Sequence, residues 1–201
     1  MSENIDKSEL RSEMRKKLHA ESLIFSKEKE TALFERFDDL SVIRSGTCLV
    51  AYMAIDYEPS LNLFLTKWLS SGKKLFLPRY EAASRAYSIV RIRNLEKDLR
   101  VGHYGILEPG ADLTETIHKD DAEQKTLIWM IPGLAFGIHG ERLGRGKGYY
   151  DRLLTMYPGV VKIGICLDCQ LLESGIMMET HDIRMDIVIT EKRECVCFSA
   201  K

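Results

Sequence analysis

The residues best suited to chemistry lie in one stretch, Pro132-Gly133-Leu134-Ala135-Phe136-Gly137-Ile138-His139-Gly140-Glu141-Arg142-Leu143-Gly144-Arg145-Gly146-Lys147-Gly148-Tyr149-Tyr150-Asp151. Five of the chain's 14 glycines fall between positions 137 and 148, and Arg142, Arg145 and Lys147 alternate with them. Glycine lets backbone N–H groups approach a ligand without side-chain obstruction. Arg and Lys supply charge for phosphate or carboxylate. The loop opens into a helix, whose free N-terminal N–H groups favour anions. Together these features read as a polyphosphate cradle. It is not a Walker A loop, because no Ser or Thr follows Lys147 and no glycine stands five residues before Gly146; nor is it G-x-G-x-x-G. Glycine alone would favour a flexible basic surface loop; the interleaved cations and the following Tyr149-Tyr150-Asp151 turn the reading to the anion site. Asp151, one turn into the helix, has two readings. It can hold Mg²⁺ together with phosphate oxygens, or it can be a helix-start acid favoured by the dipole.

Two acidic segments form the second tier. His181-Asp182-Ile183-Arg184-Met185-Asp186 leads into the apolar run Ile187-Val188-Ile189 and by itself reads as a charged loop capping a sheet edge. Asp56-Tyr57-Glu58 follows the first strand-like run. Glu58 is either an acceptor for a donor-rich ligand or a solvated loop acid. The five cysteines, at 48, 166, 169, 195 and 197, sit mostly within apolar runs and read as buried thiols. A zinc site would want its Cys pairs in turn-like settings, whereas Cys166 ends the strand-like run 160–165. No Ser-His-Asp or Cys-His arrangement stands out.

These residues need a scaffold. Leu10, Met14 and Leu18 recur at helical spacing after Ser8 as N-cap, and Lys7, Arg11 and Arg15 form a basic stripe on the adjacent face. A second helix is expected over 26–40, burying Leu33, Phe34, Phe37 and Leu40. Strand-like runs at 47–51 and 75–77 flank a helix carrying Leu61, Leu65, Trp68 and Leu69, with Pro78 expected to stop the second strand. A strand follows at 88–93, then a polar, turn-rich segment over 94–126. Further strands are expected at 127–131, 160–166, 186–190 and 195–198, and a helix at 149–156. Short apolar runs alternating with amphipathic helices predict a single α/β domain over 1–201, three-layered and Rossmann-like. Its sheet is mostly parallel with helices on both faces. Ligands in such sheets sit beyond the carboxyl ends of the strands.

At 201 residues, 45% hydrophobic and 29% charged, the chain can bury a full core without staples. A net charge of −1 argues against a protein that wraps nucleic acid or coats an anionic membrane. No apolar run reaches membrane-spanning length, and the first residues lack the apolar core of an export signal. A cytoplasmic monomer acting on a small molecule is the expectation.

The stretch from Pro132 to Asp151 resembles the signature of the 5-formyltetrahydrofolate cyclo-ligase (5,10-methenyltetrahydrofolate synthetase) family. Three further segments agree in order: Lys7-Ser8-Glu9-Leu10-Arg11, Pro78-Arg79-Tyr80, and His181-Asp182 with Asp186 and Ile189-Thr190-Glu191. The resemblance thus covers nearly the whole chain. It implies that 5-formyltetrahydrofolate and ATP give 5,10-methenyltetrahydrofolate, ADP and phosphate, with Mg²⁺. An N-formyl group is a poor electrophile, and phosphorylating its oxygen lets the folate N10 attack. The resemblance also implies roles. Lys7 and Arg11 would hold ATP phosphates, and Arg142, Leu143, Gly144, Arg145, Gly146, Lys147, Gly148, Tyr149 and Tyr150 would form the nucleotide loop. Arg145, Lys147 and Tyr149 would also face the formyl-folate as the catalytic set. Met53 and Glu58 would contact the pterin, Tyr104 would lie near the folate, and Asp151 and Asp186 would hold Mg²⁺. The chain departs from the family pattern at Pro59-Ser60-Leu61, which bears on the folate pocket. Part of 94–126 is expected to order over the folate. The competing readings are another phosphate-handling enzyme on a similar sheet and a nucleotide- or RNA-binding module. The latter is disfavoured by the net charge and by the absence of an aromatic-rich binding strand.

Overall fold

The computed structural model describes residues 6–20, 27–117 and 127–197. In chain order the elements are α1 (Lys7–Ala20), α2 (Lys27–Asp39), α3 (Ser41–Ser45), β1 (Cys48–Val50), α4 (Asn62–Ser70), β2 (Lys74–Glu81), β3 (Ala86–Ile92), β4 (Leu99–Val101), β5 (Leu107–Pro109), β6 (Leu127–Pro132), β7 (Ala135–Gly137), β8 (Arg142–Leu143), α5 (Tyr149–Met156), β9 (Val161–Ile165), β10 (Leu171–Leu172), β11 (Ile187–Ile189) and β12 (Glu194–Val196).

Runs of three to six apolar residues are too short for packed helices and become strands. β1, β6 and β11 are buried at every position, as strands covered on both faces must be. They lie in a seven-stranded sheet ordered β12-β11-β9-β6-β1-β2-β3. The inner pairings are parallel, and the outer pairs β2–β3 and β11–β12 are antiparallel. Alternation along β6 splits the core. Ile128 and Met130 join Leu33, Phe37, Phe64 and Trp68 on one face, while Leu127, Trp129 and Ile131 join Phe136, Leu153 and Leu154 on the other. The expected three-layer α/β architecture is present.

Several boundaries differ from the sequence reading for identifiable reasons. Asp6, rather than Ser8, caps α1: its Oδ2 accepts the Ser8 N–H at 3.0 Å. Strand β2 continues through Pro78 to Glu81. Pro78 pairs across from Ile89, whose carbonyl instead accepts the Ile117 N–H, so the missing proline N–H faces past the end of β1 and breaks no ladder bond. Within 94–117 the chain builds the β4–β5 ribbon around a tight turn at His103–Gly105; residues 118–126 lie outside the described residues. So do Ser26 of the second expected helix and Phe198 of the last expected strand. No disulfide joins the five cysteines, and among the described residues no cluster of His, Cys, Asp and Glu could hold a metal. Burial pushes the Cys166 thiol up and the Cys197 thiol up to about 11, so both stay protonated.

An unexpected small sheet, β10-β7-β8, carries the glycine-rich stretch. Phe136 of β7 presses onto β9 at Gly164, where an added Cβ would lie 2.5 Å from the Phe136 ring. Gly164→Ala should therefore destabilise the fold by about 1–3 kcal/mol through overpacking. Chemical denaturation checks this, and an unchanged midpoint would show that Phe136 is free to move. Met14 of α1 packs on the other side of the same hairpin with Leu134, Ala135 and Leu143. Helix α1 is thereby fastened directly to the glycine-rich stretch.

Candidate active site

A cleft of about 840 Å³ opens beyond the carboxyl ends of β1 and β6, within the size range of small-molecule sites. Helix α1 contributes Lys7, Arg11 and Arg15; the turn after β1 contributes Met53, Asp56 and Glu58; the 103–108 region contributes Tyr104 and Glu108. The far wall is the loop after β8 and the start of α5: Arg142, Gly144, Arg145, Gly146, Lys147, Gly148, Tyr149, Tyr150 and Asp151. Residues from four separate parts of the sequence thus face one space.

The loop owes its shape to its anchors. Leu143 is fully buried against Met14, and its carbonyl accepts the Leu134 N–H at 2.8 Å. Its side chain faces the core and not the cleft, which corrects the expectation that it lines the nucleotide loop. Beyond it, Gly146 and Gly148 take φ of +97° and +60°, conformations costly for other residues, and Gly148 caps α5. The buried Arg142 side chain ties β8 to α5, donating from Nη2 to Asp151 Oδ2 at 2.8 Å. Arg11 of α1 donates from Nε to the Gly144 carbonyl at 3.0 Å.

The cleft's charges are mutually held. Arg145 reaches across to the β1 turn, with Nη1 2.8 Å from Asp56 Oδ2 and Nε 3.3 Å from Glu58 Oε1. The other Glu58 oxygen accepts the Ile55 N–H at 3.1 Å. Burial pushes the Glu58 carboxyl up to about 6, although Arg145 and the Ile55 N–H pull the other way. Lys147 donates to the Tyr104 hydroxyl and lies 3.9 Å from the centre of that ring. This contact lowers the Tyr104 pKa and raises that of Lys147. Tyr104 itself sits at φ +59° and lines the cleft. Tyr149 packs edge-on to Tyr87, whose hydroxyl burial pushes up to about 12. Lys7 is paired with Asp182 and, at 3.1 Å, with Glu179.

Asp186 does not join Asp151. It precedes β11 at the amino end of the parallel strands, where its Oδ2 holds the Lys162 N–H at 2.7 Å and Nζ at 2.8 Å. The strand that follows the HDIRMD segment runs toward the cleft end, so its preceding acid must lie at the opposite end. The expected two-carboxylate Mg²⁺ site is therefore not assembled. The Pro59-Ser60 departure, by contrast, leaves Glu58 in place: Tyr52 donates its hydroxyl to the Pro59 carbonyl at 2.8 Å, and Ser60 Oγ accepts the Asn62 N–H at 3.3 Å. Tyr87, Glu108 and Glu179 line the cleft without having been singled out, because no local spacing marks them; only the folded β3 and β5 bring Tyr87 and Glu108 there.

A cradle of cations beside a buried acid invites comparison with known proteins. Residues 3–191 match the model of the 5-formyltetrahydrofolate cyclo-ligase family. A protein of Caenorhabditis elegans named probable 5-formyltetrahydrofolate cyclo-ligase is 28% identical over 193 residues, 92% of each chain. A like-named protein of Schizosaccharomyces pombe is 30% identical over 61% of this chain and 63% of its own. The solved structure of Aquifex aeolicus 5,10-methenyltetrahydrofolate synthetase superposes with a TM-score of 0.78 at 30% identity, covering 96% of this chain and 95% of that one. The loop that holds Arg145 and Lys147 over the cleft is thus part of a match running from residue 3 to residue 191, and the chain belongs to the 5-formyltetrahydrofolate cyclo-ligase family.

Proposed function

We propose that this cleft closes 5-formyltetrahydrofolate to 5,10-methenyltetrahydrofolate at the expense of ATP, releasing ADP and phosphate. The observation that carries the reading is the Glu58–Arg145 contact. It puts a buried acceptor, suited to the amino and ring N–H donors of a pterin, beside a cation of the anion loop. The γ-phosphoryl group and the formyl oxygen would then meet between them.

In this reading Lys7, Arg11 and the 144–148 backbone hold the triphosphate, and Met53, Glu58 and Tyr104 hold the folate. The formyl oxygen takes the γ-phosphoryl group and ADP leaves. N10 then attacks the activated carbon, its proton is lost, and the C–O bond breaks to release phosphate. Arg145 and Lys147 stabilise the oxygens of the transferring group, and Tyr149 closes the aromatic wall beside them. Charge stabilisation of this kind is the main protein contribution to phosphoryl transfer. Mg²⁺ enters with the nucleotide as the Mg·ATP substrate. Asp151 reaches the cleft but is engaged by Arg142, and Asp186 lies at the far end, so no step is assigned to the ion. We further read residues 1–201 as one domain and the protein as a cytoplasmic monomer without nucleic-acid partners; among the described residues no helix is long and apolar enough to cross a membrane.

The first test mixes the protein with 5-formyltetrahydrofolate and Mg·ATP and follows the near-ultraviolet absorption of the methenyl product. Product that forms only with ATP is the expected result. Folded protein that binds ATP without making product would overturn the folate assignment.

Glu58 gives a second, pH-dependent test. Its carboxyl must be ionised to accept pterin donors, so folate affinity should fall about tenfold per pH unit below about 6. Stability moves oppositely. A carboxyl raised in the folded state binds more protons there than in the unfolded chain. Its contribution, about 2 kcal/mol, is present below about pH 4.5 and is lost as pH rises through about 6. Glu58→Gln should abolish both dependences. Folate titrations and denaturation midpoints across pH 4.5–7.5 check them, and an unaltered profile in the variant would assign the dependence to another group.

A further inference from the structure

Helix α1 has its rotation fixed by apolar packing. Met14 and Leu18 are 3% and 0% exposed, and Met14 seats on the β7–β8 hairpin. That setting turns positions 7, 11 and 15, one residue on from the apolar stripe and spaced by four, along a single line facing the cleft, about 6 Å apart along the axis. Two of the three are occupied. Lys7 is neutralised by Asp182 and Glu179, and Arg11 donates to the Gly144 carbonyl. The loop cations are likewise held: Arg142 by Asp151, Arg145 by Asp56 and Glu58, Lys147 by the Tyr104 hydroxyl.

Arg15 differs from all of them. It is exposed, it lines the same cleft, and among the described residues it has no hydrogen-bond or ion-pair partner. Its place along the helix is bracketed. One turn before it, Arg11 touches Gly144; one turn after it, the His19 ring lies 3.1 Å from the Tyr57 hydroxyl. Arg15 therefore fronts the gap between the glycine-rich loop and the turn that carries Asp56 and Glu58.

We propose that Arg15 is a further substrate-binding residue, a guanidinium left open in the protein to take a two-oxygen anion of a ligand in this gap. A planar fork with no partner among the described residues gives up no hydrogen bond or ion pair to them on binding, and it matches phosphate or carboxylate in two parallel bonds. The identity of that anion rests on the functional reading above. It is either the terminal phosphate of the nucleotide, arriving from the loop side, or a glutamyl carboxylate of the folate, arriving from the Glu58 side.

The test is Arg15→Gln, which removes the charge, keeps a good helix former and breaks no hydrogen bond or ion pair among the described residues. Calorimetry is run on wild type and variant with inorganic triphosphate, and separately with 5-formyltetrahydrofolate as mono- and triglutamate. About tenfold weaker binding in one arm is expected, the worth of one charged hydrogen-bonded contact, with partial recovery in Arg15→Lys. Loss confined to triphosphate identifies the phosphate, and loss confined to the folates identifies the carboxylate. Equal affinities for all three ligands in wild type and Arg15→Gln overturn the proposal. A wild-type protein that binds triphosphate but no folate would instead defeat the functional reading, with the triphosphate arm still deciding the role of Arg15.

Discussion

Lys147→Ala should leave a folded protein with turnover lowered by about 10²–10³, the usual effect of removing one pre-placed group from a developing anion. The expectation of retained fold comes from position. Lys147 is exposed on the loop, packs into no core, and its visible partner is the Tyr104 hydroxyl. The expectation of a large kinetic loss comes from its setting. Its ammonium stands over the Tyr104 ring at the mouth of the cleft, between two glycines of positive φ that keep the backbone close. An ammonium raised in pKa by its neighbours remains charged across the working range, so the loss should be independent of pH between 6 and 9. Turnover numbers, nucleotide affinity and a thermal melt separate the cases. A lower turnover number with unchanged melting is the expected pattern. Near-normal turnover would remove Lys147 from the catalytic set and leave Arg145 as the cation facing the transferring group.

How far the site could be read in advance depended on the range of the contacts that make it. The glycine-rich loop and its cations are consecutive in the chain, so their chemistry was visible as spacing, and α5 starts and ends where the sequence placed it, at Tyr149 and Met156. The basic stripe of α1 was visible too, because apolar residues at 10, 14 and 18 fix which face is left for 7, 11 and 15. What spacing could not show were pairings between distant segments. Arg145 meets Glu58 across 87 positions, and Lys7 meets Asp182 across 175. Asp186 failed for a related reason. Its distance from Asp151 depends on which end of β11 it occupies, and that follows from parallel pairing with β9, not from the composition of its own segment. Pro78 misled because a proline stops a strand only where its N–H is needed, and β1 is too short to need it.

The Arg142–Asp151 pair carries the other large expected effect, this time on stability. The two side chains are 6% and 15% exposed, so neither charge is well solvated, and Arg142 Nε has no hydrogen-bond partner among the described residues. Removing one member of a buried pair costs about 3–5 kcal/mol because the other is left uncompensated. Asp151→Asn should therefore lower the melting temperature by about 10 °C, at the 2–4 °C per kcal/mol typical of this size. The damage should be local in origin. The pair joins β8 to the first turn of α5, the two fixed ends of the 144–148 loop, so nucleotide binding should weaken with stability. The double variant Arg142→Met with Asp151→Leu distinguishes anchoring from ligation. It deletes both charges while keeping apolar volume, and should recover most of the lost stability. Nucleotide affinity that recovers with it would mean that Asp151 serves only to hold the loop. Affinity that stays low while the melting temperature recovers would mean that its carboxylate also faces the bound Mg·ATP. An Asp151→Asn protein as stable as wild type would show that the pair is not the anchor, and the loop would then depend on the buried Leu143 and the Arg11–Gly144 bond for its position.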